Sequence, residues 1–173
     1  LLKTLAETPG VPGHEDAIRA LTKSEMSKVC DSVETDALGN VIGFRKGKIP
    51  RGGKATGRKV MVVAHMDEIG FMVSHVEDKT GFLRIHPIGG FDPKTLIAQR
   101  VMVHGKKKLC GVIGSKPIHI MTPEEIAKPP KLEDLHVDLG LPAKTVTANV
   151  GIGDMVSLEQ SYLDLGECVT AKA

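Results

Sequence analysis

The residues best placed to do chemistry in this chain are His65 and Asp67, in the run Val62-Val63-Ala64-His65-Met66-Asp67-Glu68-Ile69-Gly70. In an extended segment residues i and i+2 point the same way, so the imidazole and the carboxylate share one face. One ring nitrogen of His65 could then bind a metal ion while Asp67 accepts the other ring N–H, fixing tautomer and orientation. The same spacing suits a histidine that is simply hydrogen-bonded to a neighbouring carboxylate in ordinary packing, and spacing alone leaves both readings open. Position adds something. The pair follows Lys59 to Ala64, apolar after its lysine, which predicts a strand covered on both faces in the middle of an α/β sheet, and open α/β sheets bind ligands outside the carboxyl ends of their strands.

No other cluster competes. His14, His75, His86, His104, His119 and His136 do not fall at metal-ligand spacing, and each reads as a solvated or satisfied histidine. Lys106-Lys107-Lys108 reads as a solvated hairpin tip rather than a phosphate site, and Gly89-Gly90 and Gly151-Ile152-Gly153 lack the strand-to-helix context of a phosphate loop. There is no Gly-x-Ser-x-Gly elbow and no cysteine with a histidine close by in sequence, so nucleophilic catalysis has no local signature.

Positioning the pair falls to a chain that begins as α/β and turns β-rich. Leu1 to Thr8 predicts a short helix ended by Pro9-Gly10-Val11-Pro12-Gly13. A second helix is expected from near His14, with Ala17, Ile18, Leu21, Met26 and Val29 at helical spacing and Glu15 and Asp16 at its positive end. Period two then takes over: Ser32 to Asp36 and Val41 to Arg45 predict a hairpin, with Gly39-Asn40 in left-handed turn positions. Gly47 to Gly57 reads as an exposed loop. Beyond the apolar run, short β segments are expected at Ile69 to His75, Gly81 to Ile88, Arg100 to Val103, Leu109 to Ile113 and Met155 to Leu158, a spacing that predicts a small barrel or sandwich. Thr122-Pro123-Glu124-Glu125 predicts a capped short helix stopped by Pro129-Pro130.

The 173 residues allow one domain, or one with a small second one. A composition of 41% hydrophobic and 25% charged residues is globular, which excludes wholesale disorder. The net charge of +2 is too small for a nucleic-acid footprint, and aromatic residues at 3% argue against base-stacking platforms. No apolar run approaches the ~20 residues of a membrane span and no signal-peptide pattern opens the chain, so neither nucleic acid nor membrane is an expected partner and a cytoplasmic location is. Cys30, Cys110 and Cys168 are an odd, widely spaced set, read as free and mostly buried thiols in a reducing compartment. A first residue that is Leu and a last segment Ala171-Lys172-Ala173 without cap or polar tail lead us to expect a piece of a longer gene product.

Ala64-His65-Met66-Asp67-Glu68-Ile69-Gly70-Phe71-Met72-Val73 closely resembles the first metal motif of the tetrahedral aminopeptidases, co-catalytic metallopeptidases that include glutamyl and deblocking aminopeptidases and proteins once labelled endoglucanases. Further motifs resemble that family in order: Pro9 to Glu15, Thr35 to Val41, Gln99-Arg100-Val101, Gly111 to His119 and Thr122 to Glu125. The resemblance covers essentially the whole chain. It implies a zinc-peptidase-like α/β domain, incomplete here, interrupted by an inserted β-barrel or PDZ-like domain: residues 1–68 as the first part of the α/β domain, 69–163 as the assembly insert, and 164–173 as the return into the α/β domain. It further implies His65 as the terminal ligand of one metal, Asp67 as the residue that orients it, two divalent ions in the complete enzyme with zinc or cobalt first, short peptides as substrates, and self-association through the β domain into a dimer-based higher oligomer. In the family, an Asp-Asp/Asn-Arg motif, a Glu-Glu pair and further ligands follow the segment matching Val169 to Ala173. The expected function is therefore a metal-dependent aminopeptidase acting on peptide N-termini, present as an amino-terminal fragment or split chain lacking most metal ligands and the general base. The alternative is a non-catalytic truncated assembly module. The segment Ser115 to Met121, with His119, reads first as an ordinary exposed loop, and the resemblance also allows it near an active-site entrance of the same or a neighbouring subunit.

Overall fold

The computed structural model describes residues 1–47, 53 and 59–172, and among them places five α-helices, ten strands and two 3-10 turns. Helix α1 (Leu2–Glu7) ends where Pro9 and Gly10 forbid continuation, and α2 (Asp16–Ser27) turns Ile18 into the interior. Arg19 of α2 ties the helix to the hairpin formed by β1 (Ser32–Thr35) and β2 (Val41–Phe44), donating to the Gly39 carbonyl at 3.0 Å. In that hairpin turn only Gly39 is left-handed, at φ +90°. Asn40, expected to share that conformation, instead donates its side-chain amide to Asp36 at 2.8 Å, which satisfies the turn without a strained backbone.

The rest of the chain is dominated by a barrel. Strands β3 (Gly70–Val76), β4 (Leu83–Ile88), β5 (Arg100–His104), β6 (Lys108–Gly114), β7 (His136–Asp138) and β8 (Met155–Leu158) close in the order β3-β4-β7-β6-β5-β8, all neighbours antiparallel. Alternate residues point inward, so Phe71 and Val73, Leu83 and Ile85, Val101 and Val103, Ile113, Val137 and Val156 fill one core. Each such side chain stabilises the barrel by about 1.5–3 kcal/mol. Short helices plug the ends: α3 (Pro93–Leu96) buries Leu96 and is capped by the Asp92 carboxylate, and α5 (Ala143–Asn149) buries Val146. Between β6 and β7 lies α4 (Pro123–Ile126), whose Thr122–Glu125 capping box is fully formed. After the barrel, β9 (Leu163–Asp164) pairs with β10 (Val169–Thr170). Of the expected barrel or sandwich, a closed barrel of six strands is present, and β7, β9, β10, α3 and α5 are added to the expected set.

Three expectations meet different outcomes. The run Lys59 to Ala64 joins no sheet among the described residues, and Val60, Met61, Val62 and Val63 are each between 77% and 90% exposed. A strand covered on both faces needs flanking strands and helices, and the described residues place none there. The thiols are free as expected, but Cys110 and Cys168 are exposed and Cys30 is half-buried, because Cys110 faces outward on β6 and Cys168 lies in the turn before β10. The loop expected at Gly47 to Gly57 lies almost wholly outside the described residues. No helix among them is long and apolar enough to cross a membrane.

Candidate functional site

His65 and Asp67 lie on the segment between the apolar run and β3, and the ring meets the Asp67 main chain rather than, as expected, its carboxylate. The His65 side chain is 85% exposed and that of Asp67 43%. The ring Nδ1 lies 2.9 Å from the main-chain oxygen of Asp67 and 3.6 Å from its carboxylate Oδ1. A carbonyl oxygen only accepts, so Nδ1 carries the proton in this contact and Nε2 is left with a free lone pair. Among the described residues no group of three His, Cys, Asp or Glu side chains is close enough to hold a metal ion.

The residue next in line, Glu68, is tied to two distant parts of the chain. The Glu68 N–H donates to the Gly10 carbonyl at 2.9 Å, and the Gly10 N–H returns to Glu68 Oε1 at 3.2 Å. The same Oε1 accepts from Lys172 Nζ at 3.0 Å, with only 9% of the lysine side chain and 15% of the glutamate's exposed. Gly10 sits against α2 so tightly that a Cβ there would lie 2.5 Å from Ile18 Cγ2. Its neighbour Val11 is fully buried and packs on Gly70, where a Cβ would lie 2.4 Å from Val11 Cγ2. The Pro9 to Gly13 break is therefore a docking segment as well as a helix stop. Sequence reasoning gave Glu68 no role: its charge beside His-x-Asp was visible, but its lysine partner is 104 residues away.

The remaining histidines are not brought to this pair as ligands. His104 on β5 meets the Ser157 hydroxyl at 2.9 Å and has its pKa pushed down to about 4, by burial first and then by Lys108, Lys172 and His14. His136 stacks on Phe82 at a centroid distance of 4.5 Å, and burial, then Arg84, lower its pKa. His14, His75, His86 and His119 are exposed, the last in a 3-10 turn over Ile118–Ile120. Lys106 is exposed at the hairpin tip with Lys107 and Lys108, as expected, and donates to the Ala148 carbonyl in the last turn of α5 at 2.8 Å.

Residues 39–173 match the family model described as M42 glutamyl aminopeptidase. The chain belongs to the M42 aminopeptidase family. Lysyl aminopeptidase of Pyrococcus furiosus is 47% identical over 122 residues, 69% of this chain and 33% of that protein. The crystal structure of a TET aminopeptidase from a marine-sediment thaumarchaeote superposes with a TM-score of 0.84 at 31% identity, covering 96% of this chain and 46% of that one. Pyrococcus horikoshii TET1 peptidase, described as assembling into a tetrahedron or a large octahedral shell, superposes with a TM-score of 0.76 at 29% identity, covering 96% and 48%. This M42 chain thus spans between 33% and 48% of the lengths of these relatives. The expected likeness to tetrahedral aminopeptidases holds, and the M42 match includes the His65–Glu68 arm, the barrel and the β9–β10 return.

The M42 family is generally metal dependent, and the described residues bring together no complete ligand set for an ion. His65 offers one neutral nitrogen and Asp67 a second contact that holds the ring, whereas a catalytic ion takes about three protein ligands.

Proposed function

We propose that this chain is an amino-terminal portion of a metal-dependent aminopeptidase that removes N-terminal residues from short peptides, with His65 as a ligand of one ion and Asp67 as its orienting partner. The observation that carries the proposal is the exposed His65 ring with Nδ1 engaged by Asp67 and Nε2 free. When bound in such enzymes, divalent metal supplies a water of lowered pKa and polarises the scissile carbonyl. This chain's own part is to hold one imidazole in a fixed tautomer at the rim of the arm. The other ligands and the general base come from outside the described residues, so the chain alone is expected not to hydrolyse peptides. Zinc and cobalt both suit a histidine–carboxylate centre.

On this reading residues 1–68 and 164–173 belong to the α/β peptidase domain and 69–163 to the inserted assembly domain, whether it is classed as barrel or PDZ-like. The exposed apolar run Val60 to Val63 is where the remainder of that α/β sheet would pack. The assembly named for TET1 of P. horikoshii supports self-association of this chain's barrel into a dimer-based oligomer. The segment Ser115 to Met121, with the exposed His119, would lie near the entrance of the same or a neighbouring site. Exposed free thiols suit a reducing, cytoplasmic compartment.

The test is to join this chain to the rest of an M42 peptidase domain and assay aminoacyl-anilide hydrolysis with zinc or cobalt. Activity that His65→Ala abolishes supports the proposal, and full activity in that variant overturns it. The same exposed run favours a second reading, a non-catalytic module that buries Val60 to Val63 by pairing with itself or with a complete subunit. A chain that stays monomeric in light scattering at high concentration would exclude it.

A further inference from the structure

Three stretches far apart in sequence meet at one carboxylate oxygen. Glu68 Oε1 accepts both the Gly10 N–H and the Lys172 ammonium, and the Glu68 N–H closes a second bond back to Gly10. The ion pair is largely removed from solvent, which strengthens it electrostatically and makes either partner costly to leave alone. It also sits at a particular place. The barrel, from β3 to β8, leaves the chain just after Glu68, and the return through β9 and β10 delivers Lys172 to the same point. A small cleft at this neck is lined by Glu68, Ile69, Leu158, Gln160, Ala171 and Lys172.

The His65–Asp67 contact has little other support. The His65 ring is almost wholly solvent-exposed and its only hydrogen bond among the described residues is to Asp67. The next residue along the chain from Asp67 is the one held by three hydrogen bonds to two partners, Gly10 and Lys172. A ring whose tautomer depends on a contact two residues away keeps that geometry only if the backbone between is fixed.

We propose that Glu68 is the positioning residue of the His65–Asp67 arm, locked by Gly10 and by the buried Lys172 ion pair, so that the histidine becomes competent only when the return segment has docked. This rests on the reading of His65 as a metal ligand. Glu68 does not itself touch the ion. It acts through the backbone, anchoring Asp67 so that Nδ1 of His65 stays engaged and Nε2 stays free.

The experiment uses this chain labelled with 15N at histidine. Ring nitrogen shifts report the His65 tautomer, and line broadening by Mn2+ alone reports binding at Nε2. In the native chain His65 is expected in the Nδ1–H form, with Mn2+ broadening centred on it and lost in His65→Ala. Glu68→Gln keeps the shape and an acceptor for Gly10 but removes the charge, and Lys172→Met removes the cation. Each is expected to weaken the apparent Mn2+ affinity at His65 by about 10-fold or more, as for other groups that hold a ligand in place, and to return the ring to a mixture of tautomers. Lys172→Arg, which keeps the cation and leaves Glu68 as acceptor for the Gly10 N–H, is expected to retain both. Amide signals of Phe71, Val137 and Val156 should stay put throughout, separating positioning from collapse of the barrel. If Glu68→Gln and Lys172→Met leave both readouts within about twofold of the native chain while His65→Ala still abolishes the Mn2+ effect, the positioning role is wrong and the ligand reading stands. If His65→Ala leaves the Mn2+ effect intact, the ligand reading fails and the proposal built on it falls with it.

Discussion

The His65 ring places Nδ1 2.9 Å from the main-chain oxygen of Asp67, two residues further along the same segment. That contact leaves the ring exposed and its stability contribution small. His65→Ala is expected to change folding stability by no more than about 0.5 kcal/mol, while abolishing hydrolysis once the chain is part of a complete peptidase. Asp67→Asn keeps the main-chain oxygen that His65 contacts and is expected to keep the fold and to change metal affinity by less than the ~10-fold that loss of an orienting partner costs. Urea denaturation and cobalt titration on the same preparations check both.

Gly10 presents the opposite case, a residue with no chemistry and no room. Its Cβ would fall 2.5 Å from Ile18 Cγ2 on α2, so Gly10→Ala must push the helix away or break the Gly10–Glu68 bonds. A loss of about 1–3 kcal/mol is expected, read as a lower thermal midpoint. The companion change Ile18→Ala should recover part of it if the clash is the cause, and no recovery would point to backbone strain instead.

In the barrel, Phe71 is fully buried and stacks on Phe91 with ring centroids 4.3 Å apart. Phe71→Ala is expected to cost about 3–5 kcal/mol, through lost transfer energy and the cavity left behind. A double-mutant cycle with Phe91→Ala should give a coupling of about 0.5–1.5 kcal/mol. A cost below 1 kcal/mol would mean that the core closes over the gap.

His104 gives the fold a pH dependence of known sign. Burial, helped by Lys108, Lys172 and His14, lowers its pKa from 6.5 to about 4. Between those values the unfolded chain binds the proton and the folded one does not, so stability is fully present above pH 6.5 and falls as pH drops toward 4. Allowing for partial solvation, the loss across this window is about 1–2 kcal/mol. Glu15, held down first by its bond from the Gly13 N–H, and Glu77, held down first by Thr80, add losses that begin only near their ordinary value of 4.5. Urea midpoints at pH 7.5 and 5 should therefore differ in the native chain and converge in His104→Gln.

Much of the fold could be read from residue order, and the reasons differ by element. The barrel strands show clean period two because one face of each is core and the other solvent, as Val101 and Val103 show against Arg100 and Met102. The Thr122 capping box is local chemistry and was legible to the residue. β7 was not, since three residues, His136–Asp138, carry too little pattern, and Val137 is recognised as core only by its neighbours Leu83 and Ile113. The run Val60 to Val63 says that something must cover it without saying what, so its place in a sheet could not follow. At the site the spacing pointed to the Asp67 carboxylate as the partner of the His65 ring, whereas the ring bonds the Asp67 main-chain oxygen, and the Glu68–Lys172 pair joins residues 104 apart that no local signal links.

Barrel closure also sets an order of events during synthesis. β8 is the stave that joins β3 to β5, so the cylinder stays open until the ribosome has released Leu158, and its earlier strands wait with unpaired edges. Lys172 emerges later still. The nascent chain can therefore complete the Glu68–Lys172 pair only after every stave of the cylinder has left the ribosome, so the last contact to become available joins the two ends of the domain's excursion.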